Sequence, residues 1–178
     1  MEKKPDKIFT VCLVVRDNRE VLLARKKLRL GAGLLNGYGG KVREGKGTEA
    51  EAKRELKAES GLTALKMIEA GLLVFKFQKE GKIYPCYYYR VDEFRGRVKE
   101  TAEMELGQWY NMKEGSIPTD QMWKGDKLWI PYFLGNKKFY GWILYNNRDE
   151  KKVVDYFITD RWRLDMHKAI NILHSLKP

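Results

Sequence analysis

The pattern of apolar and polar positions divides this chain into strands, a few helices and basic loops. Residues 8–15 (IFTVCLVV) are almost wholly apolar and rich in β-branched side chains, which predicts a strand buried on both faces. Asp17-Asn18 supplies a turn, and residues 20–25 (EVLLAR) predict the return strand of a hairpin. Residues 26–40 are basic and glycine-rich and read as loop. Thr48 and Glu51 have the spacing of a capping box, so a helix is expected from about residue 49, with Gly61 as its C-terminal stop. Residues 67–77 predict another strand, the turn at Glu80-Gly81-Lys82 follows, and residues 83–91 (IYPCYYYRV) predict its partner. Pro85 points to an edge position or a bulge for that partner, because proline cannot donate to a ladder. Residues 108–112 read as a short strand and residues 118–123 as one helical turn, while residues 128–134 are an apolar run containing Pro131. Residues 139–145 and 153–158 predict a last hairpin around Asn146-Asn147. In residues 160–176 the apolar side chains Trp162, Met166, Ile170 and Leu173 recur at helical spacing. That helix is expected to pack on its own domain, with a second copy of the chain as the alternative surface. The sum is a mixed β-sheet with two or three helices: an α+β fold, or three α/β/α layers.

Composition narrows the classes. A chain of 178 residues suits one domain able to bury roughly 70% of its unfolded surface. Cys12 and Cys86 both sit in apolar runs and read as reduced core thiols rather than a disulfide framework. No apolar run approaches the ~20 residues of a membrane span, and the start, Met1-Glu2-Lys3-Lys4-Pro5, has no apolar signal segment. Cytoplasm is the expected compartment. The net charge of +11 suits an anionic partner such as a nucleotide. It is spread along the chain without a nucleic-acid module, so nucleic acid is not expected as a partner and a general solubility effect is the plainer reading. A monomer is expected, with a homodimer as the alternative.

The chemistry concentrates in residues 40–62, GKVREGKGTEAEAKRELKAESGL. Glu55 and Glu59 are four residues apart, a spacing that puts them on one helix face with Cβ atoms about 6 Å apart. Two adjacent acids repel, and a hard divalent cation such as Mg²⁺, which takes carboxylate, carbonyl and water oxygens, makes the pair favourable. The approach Asn36-Gly37-Tyr38-Gly39-Gly40 lets backbone come close to a ligand. The plainer reading of such an acidic stretch is a solvated helix face; the flanking glycines argue against it.

Gly40, Arg54-Glu55-Leu56, Glu59 and Gly61-Leu62 fall at the spacing of the Nudix box: Gly, five residues, Glu, seven residues, Arg-Glu-aliphatic, one residue, Glu-Glu, one residue, Gly-aliphatic. The chain resembles Nudix hydrolases, and among them the MutT-type diphosphatases of oxidised purine nucleoside triphosphates. Lys26-Lys27, Gly31-Ala32-Gly33, Val74-Phe75-Lys76-Phe77, Gln108-Trp109-Tyr110, Asp120-Gln121-Met122-Trp123, Lys137-Lys138-Phe139-Tyr140-Gly141 and Val154-Asp155-Tyr156 continue the resemblance in order. It covers roughly residues 7–160, which sets the expected domain at 1–160 with a C-terminal helical extension at 161–178 packed on it. The resemblance implies an α/β/α sandwich with the box helix packed on the sheet. It also implies hydrolysis to a nucleoside monophosphate and pyrophosphate with Mg²⁺ (or Mn²⁺) as cofactor. Glu55 and Glu59 would be metal ligands with the Gly39 carbonyl, and Arg54 would support them in catalysis. Glu103 would complete the shell, with Glu105 as the alternative because an extra residue precedes Trp109. Lys26 would meet the phosphates, with Gly40 and Lys41 beside them. Thr10, Asn36, Tyr38, Phe75, Trp123 and Asp126 would line the base pocket. There Trp123 can stack on a purine, and Asn36 and Asp126 can read its edge. Read without the resemblance, Phe75 is a core residue, Trp123 an apolar anchor, Asp126 a loop acid or helix cap, Lys26 surface charge and Thr10 a strand filler.

Three positions depart from the family. Lys46 stands where the box has a Glu that pairs with the arginine here numbered 54; Glu44 and Glu51 are the candidate substitutes. Ala58 stands where the first of the paired box glutamates belongs, which removes one metal ligand. Trp123-Lys124-Gly125-Asp126 stands where mammalian relatives read Trp-Pro-Asp-Asp, so one of two base-reading acids is gone. Two alternatives are carried: a Nudix hydrolase for another nucleoside diphosphate-linked compound (a dinucleoside polyphosphate, nucleotide sugar or RNA cap), which the positive charge favours, and a nucleotide-binding module with a weakened site, which Lys46 and Ala58 motivate.

Overall fold

The structure, a computed structural model, describes residues 5–148, 152–161, 163 and 165–176. β1 (Phe9–Arg16) and β2 (Glu20–Arg25) form the expected antiparallel hairpin. Asp17 and Asn18 both take positive φ, 53° and 54°, the backbone that matches a tight turn to the right-handed twist of its strands. β3 (Leu35–Asn36) interrupts the basic loop, and α1 (Thr48–Ser60) follows. The long antiparallel pair β4 (Thr63–Phe77) and β5 (Lys82–Arg95) comes next, then β6 (Gln108–Asn111) and a 3₁₀ turn at Thr119–Gln121. α2 (Asp126–Leu134), β7 (Phe139–Tyr145), β8 (Val153–Thr159) and α3 (Met166–Ser175) complete the described elements. The sheet runs β3-β2-β1-β5-β4-β7-β8, with β6 also on β2. It is mixed: β1 lies parallel to β5 and β4 parallel to β7, and the other pairs are antiparallel.

Alternation along the strands feeds two cores. Cys12, Val14, Leu22, Ala24 and Val91 point to one face and bury Ala52 and Leu56 of α1; a fully buried leucine contributes roughly 2 kcal/mol. Leu13, Val15, Val21, Leu23 and Phe139 point to the other and bury Trp129, Ile130 and Phe133 of α2. Tyr87 touches both the α1 cluster and the cluster where α3 sets Ala169, Ile170 and Leu173 on Leu72, Val74 and Tyr140. Two helices therefore share one face and α2 covers the other, which makes the α+β fold a three-layered one.

Three local expectations are corrected. Pro85 is not on an edge strand, since β5 lies between β1 and β4. It is tolerated because the β1 ladder begins only at Phe9↔Cys86, one residue beyond it. The capping box does not form. Gly47 is the N-cap of α1 and offers no side chain, Thr48 Oγ1 is 2.7 Å from the Tyr89 hydroxyl, and the Glu51 carboxylate is taken by two arginines. The C-terminal helix starts later than residue 160, at Met166, where the Asp165 side chain accepts from the Lys168 N–H. Of its apolar stripe, Trp162 lies outside the described residues.

Candidate active site

The site is built where the loop after β3 crosses the start of β1. Thr10 N–H donates to the Gly40 carbonyl at 2.9 Å, and Cys12 and Tyr38 exchange both main-chain bonds. This approach needs bare α-carbons. A Cβ on Gly37 would lie 2.5 Å from the Cys12 carbonyl oxygen, and one on Gly39 2.1 Å from that of Thr10. The glycines expected to admit a ligand therefore first admit β1. Gly40 has a different neighbour: a Cβ there would meet the Glu55 carboxyl at 2.9 Å, so its missing side chain makes room for that acid.

α1 supplies the acidic wall. Glu59, 3% exposed, accepts from the Gly39 N–H at 2.8 Å through Oε2 and lies 3.6 Å from Lys26 Nζ through Oε1. Burial raises its proton affinity, Lys26 and the Gly39 N–H oppose that, and Glu55 and Glu103 add to it. Glu59 thus feels the charge of both other acids. Glu55 is paired with Arg54. Arg29 Nη1 lies 3.3 Å from Glu103 Oε1, whereas Glu105 is turned outward to Arg25 at 3.9 Å. Ala58 is exposed on the helix.

A cavity of about 350 Å³ joins this wall to an aromatic end, within the usual range for a small-molecule site. Thr10, Lys26, Asn36, Gly39, Gly40, Lys41, Arg54, Glu55, Glu59, Glu103, Phe75, Trp123 and Asp126 all line it. Tyr38 does not, which corrects its assignment as a base contact. It is fully buried in the α1-side core with Cys12, Leu22 and Met104, because a residue one step from Gly37 and Gly39 along an extended segment points to the opposite face. Among the described residues its hydroxyl has no hydrogen-bond partner. Phe77, on the same strand face as Phe75, lines it too, and so do residues not singled out from the sequence: Phe9, Tyr84, Cys86, Tyr88, Arg29 and Arg43 among them. The period-two alternation of β4 and β5 carried the signal for Phe77, Tyr84, Cys86 and Tyr88; no local pattern distinguishes Arg29 and Arg43 from their basic neighbours.

At the aromatic end Trp123 packs against Phe77 and Tyr145, with ring centroids 6.0 and 5.8 Å away. Asp126 is buried at the start of α2. Its Oδ1 accepts from Trp129 Nε1 at 2.9 Å and its Oδ2 from the Trp123 N–H at 3.2 Å. Burial pushes its carboxyl up to about 7 despite both bonds. Gly125 leaves no space for the missing second acid: a Cβ there would meet the Tyr145 hydroxyl at 2.4 Å.

The oxygen donors suit a hard divalent cation. Glu55, Glu59 and Glu103 bring three carboxylates to one wall, each beside a cationic side chain (Arg54, Lys26 and Arg29), and Gly39 lines the same wall. Among the described residues no three His, Cys, Asp or Glu side chains stand as a ready-made ligand group, since Glu59 is turned to Lys26 and Gly39, and Glu55 to Arg54. Also among the described residues, no helix is long and apolar enough to cross a membrane.

The sequence model of the NUDIX domain matches residues 6–133. The chain is 40% identical over 143 residues to the oxidized purine nucleoside triphosphate hydrolase of Danio rerio, covering 80% of this chain and 89% of that protein. It is 36% identical to the protein of the same name from Mus musculus over the same shares. Its fold superposes on the MutT protein of Bacillus halodurans with a TM-score of 0.72 at 24% identity, covering 85% of this chain and 97% of that one. The box helix beside its cavity, a domain match over most of the length and relatives at this identity agree: the chain belongs to the Nudix family.

Proposed function

We propose that this protein hydrolyses purine nucleoside triphosphates, oxidised ones among them, to the monophosphate and pyrophosphate with Mg²⁺, and so clears damaged nucleotides from the pool. One observation carries the reading: a single cavity has a carboxylate-and-cation wall at one end and a tryptophan with buried polar groups at the other. That is the layout of a molecule with a polyphosphate tail and a flat, hydrogen-bonding base. The names of the relatives from zebrafish and mouse support the same substrate class.

In this reading Glu55, Glu59, Glu103 and the Gly39 carbonyl hold the cation. When bound, the cation neutralises phosphate charge and acidifies a water. Lys26, Lys41, Arg43 and Arg54 face the phosphates as fixed positive charge in a partly enclosed site, where it counts for more than in water. A water oxygen joins phosphorus, the α–β anhydride bond breaks, and monophosphate and pyrophosphate leave. The proton of that water passes to bulk solvent, because Glu59, as a ligand of the cation, is a weakened base. Trp123 stacks on the base while Asn36 and Asp126 meet its edge.

The test is a panel of 8-oxo-dGTP, 2-oxo-dATP, O6-methyl-dGTP and unmodified nucleotides with Mg²⁺, scored for pyrophosphate. Turnover of at least one modified purine is expected, and Glu59→Gln, which removes a cation ligand, should lower kcat by about a hundredfold. No release from any triphosphate, with turnover of a dinucleoside polyphosphate, would move the assignment to the longer anion that the basic mouth also suits.

A further inference from the structure

Glu51 does not line the cavity, yet it is 2% exposed and ionised, with its carboxyl held down to about 2 by Arg43 first and Arg54 after it. Arg43 donates to it from Nη2 at 2.7 Å, from Nε at 3.1 and 2.9 Å and from its main-chain N–H at 3.4 Å. Arg54 donates from Nη2 at 3.1 Å and from Nε at 3.4 and 3.3 Å. The same Arg54 Nη2 also contacts Glu55 Oε1. Two carboxylates therefore divide one guanidinium, and one of them faces the cavity. Lys46, at the box position of the missing acid, is exposed.

We infer that Glu51 is a positioning residue for the cation site. It holds Arg54 back from full pairing with Glu55 and so leaves the Glu55 carboxylate available to a divalent cation. The inference rests on the reading that Glu55 and Glu59 bind that cation. Its physical basis is competition. An arginine and a carboxylate free of rivals close into a two-pronged pair, and a cation would have to break that pair before it could bind. Glu51 supplies the rival from one turn earlier on α1, and through Arg43 it ties the loop ahead of the helix to the same point. An acid moved from the loop to the helix thus does the work lost at Lys46.

The experiment measures Mg²⁺ and Mn²⁺ binding to the nucleotide-free protein by calorimetry, alongside the cation concentration for half-maximal rate. Glu51→Gln should weaken both by about tenfold, the usual scale for a group that orients a metal ligand. Glu49→Gln, which removes an exposed acid of the same helix turn paired with Lys53 at 2.6 Å, should match the wild type. Arg54→Gln frees Glu55 and should not weaken cation binding, and adding Glu51→Gln to it should change nothing further. Wild-type cation binding in Glu51→Gln, an equal loss in Glu49→Gln, or a full additional loss on top of Arg54→Gln overturns the inference. If Glu51→Gln does not fold, Arg54→Gln alone decides: a tenfold loss of cation affinity there is the overturning result. A wild type that binds no cation and cleaves no triphosphate instead sinks the underlying assignment, and this inference with it.

Discussion

Burial raises the proton affinity of both Asp126 and Glu59, and they sit at opposite ends of one cavity. For Asp126 the native carboxyl, at about 7, binds its proton more tightly than the unfolded reference of 3.8. The folded state is therefore relatively favoured at low pH and loses that advantage as pH rises from about 4 through about 7. Urea unfolding at pH 5 and pH 8 should show it: the stability difference between wild type and Asp126→Asn should move in the variant's favour at the higher pH. In the proposed function, where Asp126 meets the base edge, the same ionisation changes what that edge finds: an O–H donor below about 7 and a pure acceptor above. Discrimination between purines differing at one edge group should shift across that range in the wild type and stay flat in the variant. Glu51 titrates in the opposite sense, and its charge is present at every pH where the enzyme would be assayed.

At the scale of elements, the loop between β3 and α1 shows how position decides what a glycine does. Gly39 lies against the Thr10 carbonyl, so Gly39→Ala must push β1 and the loop apart. The expected cost is about 1–3 kcal/mol in a denaturant titration, together with a weaker Lys26–Glu59 contact. Gly47 has open space around it and a negative φ of −74° as N-cap of α1. Gly47→Ser should be neutral or stabilising by a few tenths of a kcal/mol, because it adds a capping oxygen. The glycine spacing announced a tight loop, but only the packed loop distinguishes the glycine that touches β1 from the one that touches solvent.

At the scale of the molecule, α3 braces β4, which carries two of the cavity's aromatics, Phe75 and Phe77. Ile170 and Leu173 are fully buried on β4 and β7. The buried Lys76 ammonium donates to the carbonyls of Leu173 and Leu176 at 2.7 and 3.0 Å, closing the end of the helix. Lys76 lies between Phe75 and Phe77, which alternate to the other face and line the cavity. Ile170→Ala should cost about 2–5 kcal/mol by the cavity it leaves, read as a lower urea midpoint. Hydrogen exchange should then rise along β4, and protection there equal to wild type would show that α3 is only appended.

What the sequence determined by itself was local. Most of the strands, the helix after the glycine loop, the hairpin at Asp17-Asn18, the stop at Gly61 and the four-residue step from Glu55 to Glu59 follow from periodicity and backbone chemistry, which neighbouring residues carry among themselves; β3, read as loop, and α2, read only as an apolar run, do not. The Nudix box and its flanking blocks were legible for the same reason. Choices between distant segments were not. Tyr38 turned into the core, Pro85 found a central strand, and Glu51 left its capping role for Arg43 and Arg54. Each depended on which face a segment presents once β1, α1 and the glycine loop have packed. Packing energy comes from contacts between residues tens of positions apart, and no local pattern records which partner wins.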